Sequence, residues 1–111
     1  MIYKFKSKAA GDLIMLGPNG QRVLQVIGKA YGGELGATGI ITPEQMPAAI
    51  AALEAAITQE EAEQQAAVRE AQARGETPPR FEAVSLRRRA WPMVEMLRRC
   101  HAHGAPITWG V

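Results

Sequence analysis

Pro106-Ile107-Thr108-Trp109-Gly110-Val111 closes the chain on an alternating apolar run. It follows a basic helical segment, Ser85-Leu86-Arg87-Arg88-Arg89-Ala90-Trp91-Pro92-Met93-Val94-Glu95-Met96-Leu97-Arg98-Arg99-Cys100-His101-Ala102-His103, that stops at Gly104. Ile107, Trp109 and Val111 share one face of an extended strand, and frayed ends are normally polar, so the pattern predicts a buried C-terminal strand. Such a strand needs a partner, and the other end of the chain offers one. Residues 2–6 alternate as well, with Tyr3 and Phe5 on one side and Ile2, Lys4 and Lys6 on the other. Ser7 to Gly11 is a polar, small-residue break, and residues 12–16 read as a second strand, making an N-terminal hairpin. A helix over residues 9–16 would carry Gly11 in its interior at about 1 kcal/mol, which favours the strand.

Between these ends the periodicity turns helical. Gly17-Pro18-Asn19-Gly20 reads as a turn, after which Val23, Leu24, Val26 and Ile27 favour a helix of about ten residues closed by Gly28 and Lys29. The β-branched valines leave a third-strand reading open there. Residues 31–39, with four glycines, read as a loop, and Gly39-Ile40-Ile41 as a very short further strand. Thr42, Pro43 and Gln45 have capping-box spacing, and Met46, Ile50, Leu53 and Ile57 form one apolar stripe behind them, with Pro47 distorting the first turn. From Gln59 to Arg74 the only large apolar residue is Val68. A helix-favouring stretch without a stripe is expected to be a solvated, fraying extension that leads into Gly75-Glu76-Thr77-Pro78-Pro79, so that residues 60–82 are flexible or extended.

In the last helix, capped by Ser85, the core side is Leu86, Ala90, Met93, Leu97 and Cys100; Arg87, Arg88, Glu95, Arg98 and Arg99 face away. Pro92 removes the bond to the Arg88 carbonyl and predicts a kink or two abutting pieces. Gly104 suits the position after the helix, and His101 and His103 suit its negative end. The fold expected from all this is α+β and a single domain of residues 1–111. A small antiparallel sheet combines the N-terminal hairpin with the C-terminal strand, with room for one short extra element, and three helices cover one face.

Composition narrows the class. The chain has 111 residues, 47% hydrophobic and 22% charged, enough for one core. No apolar run approaches the roughly 20 residues of a membrane helix, the N-terminus lacks a signal layout, and a lone cysteine suits a reducing cytosol, so the expected location is cytoplasmic. Net charge is only +2, but two basic ends flank an acidic centre that holds eight glutamates against Arg69 and Arg74.

Taken together, Tyr3-Lys-Phe-Lys-Ser-Lys8, Met46-Pro-Ala-Ala-Ile-Ala-Ala-Leu53, Arg89-Ala-Trp-Pro92, Glu95-Met-Leu-Arg98 and Trp109-Gly-Val111 resemble the uncharacterised bacterial proteins of the domain of unknown function 1840 family. The resemblance spans nearly the whole chain. It implies a small, stand-alone bacterial protein and supplies no activity, cofactor or catalytic residue.

Two constellations carry chemistry. Lys4 and Lys6 (with Lys8 close by) share a strand face, while Arg87, Arg88, Arg98 and Arg99 share a helix face with Trp91 among them. Positive charge that tracks phosphates beside a stacking aromatic is what single-stranded nucleic acid requires. The plainer reading is that each basic end solubilises its own exposed face. Cys100, His101 and His103 are soft metal ligands, yet on a continuous helix the two imidazoles point about 200° apart and no further Cys or His completes four ligands. Two dipole-compatible histidines beside a half-buried thiol are the stronger reading. No metal and no cofactor is therefore expected. No dinucleotide fingerprint, phosphate loop or strained nucleophile turn is present. The expectation is a cytosolic, non-enzymatic binding or interaction protein of unknown partner, another protein and a second copy being the candidates. A nucleic-acid binder is the alternative and a small enzyme comes last; no membrane is involved.

Overall fold

A computed structural model describes residues 2–29, 38–81 and 84–110. Strands β1 (Ile2–Phe5) and β2 (Leu13–Leu16) pair antiparallel, Ile2 opposite Leu16 and Phe5 opposite Leu13. Helix α1 (Gly17–Val26) follows directly, then β3 (Gly39–Ile41), a short 3-10 turn (Pro43–Gln45), helix α2 (Met46–Ala73), helix α3 (Leu86–Ala102) and β4 (Ile107–Trp109). β3 pairs antiparallel with β4, Gly39 opposite Trp109 and Ile41 opposite Ile107. The two ribbons meet at one residue pair, where Lys6 N–H donates to Thr108 O at 2.8 Å and Thr108 N–H returns to Lys6 O at 2.9 Å. The class is α+β, as the periodicities predict. The N- and C-terminal strands are neighbours, but through a single bridge between two small sheets instead of a full ladder. Val111, expected in the last strand, and most of the 31–39 loop lie outside the described residues.

Alternation decides which side is covered. Tyr3, Phe5, Met15, Ile41, Ile107 and Trp109 point to one face and join Val23, Leu24, Met46, Leu53, Ile57, Met93, Leu97 and Cys100 in one buried cluster. Trp109 tilts against Phe5 with ring centroids 5.6 Å apart, and Phe5 stacks towards Tyr3 at 6.2 Å. Gly39 is there because its strand partner is Trp109: a Cβ on it would meet the indole Cη2 at 2.9 Å. Gly20 sits equally close beneath the Tyr3 ring, at 2.8 Å from Cγ to an added Cβ.

Two local readings change and a third takes a definite form. The Gly17–Gly20 segment is the first turn of α1 and no separate turn, because Pro18 lies at the start of the helix, where its missing N–H removes no bond, and Gly17 and Gly20 are buried against the sheet. The third-strand alternative for this region falls with it. The distortion expected at Pro47 takes the form of a separate 3-10 turn: Pro43–Gln45, capped by Thr42, precedes α2, Met46 N–H bonds the Pro43 carbonyl that Pro47 cannot serve, and Thr42 N–H donates to Gln45 Oε1 at 3.1 Å. Helix α3 runs unbroken through Pro92, since both Pro92 and Arg88, whose carbonyl loses its donor, are exposed and water can serve it.

Helix α2 continues through the residues that lack an apolar stripe, to Ala73. Its 28 residues rise about 42 Å at 1.5 Å each and account for most of the molecule's 52 Å long axis. Polar contacts hold its middle to α3. Glu60 Oε1 accepts from the Leu86 N–H at 3.1 Å, capping an otherwise orphaned donor in the first turn of α3, and Ser85 Oγ caps the Arg88 N–H at 3.2 Å. Among the described residues no helix is long and apolar enough to cross a membrane.

Candidate functional site

Helix α3 presents its basic face where the sequence places it: Arg87, Arg88, Glu95, Arg98 and Arg99 are exposed, while Leu86, Ala90, Met93, Leu97 and Cys100 are buried. Only the neighbours could be supplied by the tertiary fold. Arg87 grips Glu61 of α2 with two parallel bonds, Nε to Oε2 at 2.9 Å and Nη2 to Oε1 at 3.0 Å. Arg98 donates from Nη2 to Glu54 Oε1 at 2.7 Å. Between them Trp91 is half-buried, with the Arg98 guanidinium 5.1 Å and the Arg87 guanidinium 5.8 Å from its ring centre. The result is a ladder along the α2–α3 seam: carboxylate, guanidinium, indole, guanidinium, carboxylate. The Arg87 hydrogen bonds hold the Glu61 carboxyl below its ordinary range, and the Glu61 carboxylate raises the Arg87 guanidinium in return.

The ladder limits what that face can bind. A base stacking on Trp91 would have to displace two guanidinium groups, each already paired with an acid. Lys4 and Lys6 do not join it. They project from the side of β1 opposite Tyr3 and Phe5, away from the packed helices, and Lys4 lies 3.5 Å from Asp12. Arg88 and Arg99 are the exposed arginines of α3 whose side chains make no ion pair with a described residue.

The metal candidates separate. Cys100 is fully buried in the core, whereas His101 and His103 are exposed at the helix end, and among the described residues no three His, Cys, Asp or Glu side chains come together. The same separation removes Cys100 as a nucleophile partnered by either imidazole.

Two surfaces were missed by reading the basic residues first. On the solvent face of β1 and β2, Ile2 is 64%, Ile14 60% and Leu16 69% exposed, and the register sets Ile2 opposite Leu16 with Ile14 one rung on, beside Lys4. Ile40 of β3, 44% exposed, continues that face beyond Thr108. The signal was present in Leu13-Ile-Met-Leu16, where both alternating positions are apolar, so that a ribbon covered on one side only leaves apolar side chains on the other. The second surface is a cleft at the far end of α3, lined by Lys8, Arg99 and His103.

A protein-family profile described as "Domain of unknown function (DUF1840)" matches residues 1–109. No curated protein and no solved structure gives a significant match to the chain.

Proposed function

Since the chain belongs to the domain of unknown function 1840 family, whose description carries no activity, we propose from its own geometry that it is a small bacterial, cytosolic, non-enzymatic interaction protein. Its contact surface is the solvent face of β1 and β2. The observation that carries this reading is the adjacent trio Ile2, Ile14 and Leu16, each more than half exposed on one flat strand pair. Scattered exposed apolar residues are ordinary, but three large ones in register on a regular surface mark a place where another surface packs.

The partner that fits best is a second copy. An apolar patch is self-complementary, and Lys4 beside Asp12 gives its border both signs, so a two-fold arrangement sets each Lys4 towards the other chain's Asp12. Among the described residues β2 pairs only with β1 and carries no charge, proline or bulge. Cytosolic residence fits the free, buried thiol of Cys100. The nucleic-acid alternative has less behind it, because Arg87 and Arg98 are engaged with Glu61 and Glu54 and together cover Trp91.

Sedimentation velocity over a wide concentration range tests the proposal. Wild type should shift reversibly to a dimer on concentration, and Ile14→Thr with Leu16→Thr should stay monomeric with an unchanged circular-dichroism spectrum. A wild type that is monomeric throughout overturns it.

A further inference from the structure

At the end of α3 remote from Ser85, a cleft of about 560 Å³ opens between the β1–β2 loop and the turn that leads into β4. Lys8 comes from the loop, Arg99 from the last turn of the helix and His103 from its C-cap; Ala9, Gly104, Ala105 and Pro106 complete the wall. Two chain segments, the β1–β2 loop and the end of α3, thus bring a point-charge ammonium, a planar guanidinium and an imidazole to one concave place. No carboxylate lines it.

The other clefts differ. Arg22 faces a cleft that it shares with Glu60 and Glu63, and Arg69 one that it shares with Glu61; Lys29 is the lone cation of a third. Lys4, Arg22, Arg74, Arg87 and Arg98 are each paired with an acid, whereas the side chains of Lys8 and Arg99 make no hydrogen bond or ion pair with any described residue. Asp12 and Glu95 lie in the groove on the other side of Arg99, neither within ion-pair distance of it, and Asp12 is held by Lys4.

The negative end of a helix would ordinarily oppose an anion here. In this turn three of the last four carbonyls are occupied: Arg99 O accepts from His103 N–H at 3.2 Å, Cys100 O from Ala105 N–H at 2.9 Å and His101 O from Gly104 N–H at 3.1 Å. Gly104, at φ 64°, makes that closure possible and turns the chain so that Ala105 is buried beneath the basic groups.

We propose that the Lys8–Arg99–His103 cleft is a binding site for a small phosphate monoester. A carboxylate has two oxygens and is satisfied by one guanidinium; an ammonium, a guanidinium and an imidazole lining one cleft offer donors enough for the three terminal oxygens of a phosphate. Ala9, Ala105 and Pro106 give the cleft an apolar flank for the organic part of the ester. The site is on a different surface from the β1–β2 face and stands or falls separately from self-association.

The test is an amide NMR titration of the full chain with phenyl phosphate, inorganic phosphate and acetate at constant ionic strength. Phenyl phosphate should give saturable shifts confined to residues 8–10 and 99–105, and inorganic phosphate weaker ones at the same amides. Arg99→Gln and Lys8→Gln should each weaken binding about tenfold or more, the scale of a lost charge-assisted bond. Arg88→Gln, on the same helix away from the cleft, should leave it unchanged. All three side chains are exposed, so the variants should keep the wild-type spectrum elsewhere. Shifts that never saturate, shifts spread over Arg69, Arg80 and Arg88, or undiminished binding in Arg99→Gln would overturn the site. Acetate binding as tightly as phenyl phosphate would overturn the phosphate assignment.

Discussion

Replacing Trp109 by alanine, alone and together with Gly39→Ala, probes the pair on which the second sheet rests. Trp109 is 1% exposed, tilts against Phe5 and lies over the Gly39 backbone. Its truncation removes a buried indole and should cost about 3–5 kcal/mol, a large part of the roughly 5–15 kcal/mol by which a domain of this size is stable. Gly39→Ala alone forces a methyl to within 2.9 Å of the indole Cη2 and should cost about 1–3 kcal/mol by overpacking. Gly39 has no positive φ, so its backbone accepts alanine; the whole penalty comes from the ring. Alanine at 39 should therefore be close to harmless once residue 109 is alanine, and the double variant should be no less stable than Trp109→Ala. Urea denaturation followed by far-ultraviolet circular dichroism reads all four corners of the cycle without depending on the tryptophan signal. Equal costs of Gly39→Ala in both backgrounds would refute the contact and with it the register of β3 on β4.

The Tyr3 hydroxyl is buried and has no hydrogen-bond partner among the described residues, so Tyr3→Phe should be neutral or stabilising within about 1 kcal/mol, measured by the same denaturation; a loss of several kcal/mol would mean that the hydroxyl has a partner. The Glu61 carboxyl, depressed by the Arg87 hydrogen bonds, should titrate at higher pH in Arg87→Gln, followed by carboxyl carbon NMR. Because its folded-state value lies below the unfolded one, the stability it contributes is present above the unfolded pKa and is lost as pH falls through the folded pKa. An unmoved titration in the variant would break the ladder.

How much of this molecule could be read from the chain differs element by element. The inward phase of β1 and of α3 was legible, because alternation in Tyr3 and Phe5 and the spacing of Leu86, Ala90, Met93, Leu97 and Cys100 are local properties of a backbone with a fixed period. That α3 is one helix across Pro92 instead of two pieces, and that α1 begins at Gly17, is not legible locally, because whether proline and glycine break a helix depends on what surrounds the freed carbonyl or the missing side chain. The seam between α2 and α3 was not legible at all. Gln59 to Arg74 has no apolar stripe to announce a docked helix, and Glu54, Glu60 and Glu61 acquire their roles only when α3 comes alongside.

The candidate site divides in the same way. Composition and spacing by themselves determined that the last helix would carry exposed arginines around Trp91, since its apolar stripe leaves them no other direction. Which arginines stay unpaired was decided by tertiary structure alone. The partners Glu54 and Glu61 are 44 and 26 residues distant in sequence, and charge pairing depends on separations of a few ångströms in space. The same packing sets two guanidinium groups against Trp91 and brings Lys8 of the β1–β2 loop to Arg99 and His103 at the end of α3 around one cleft.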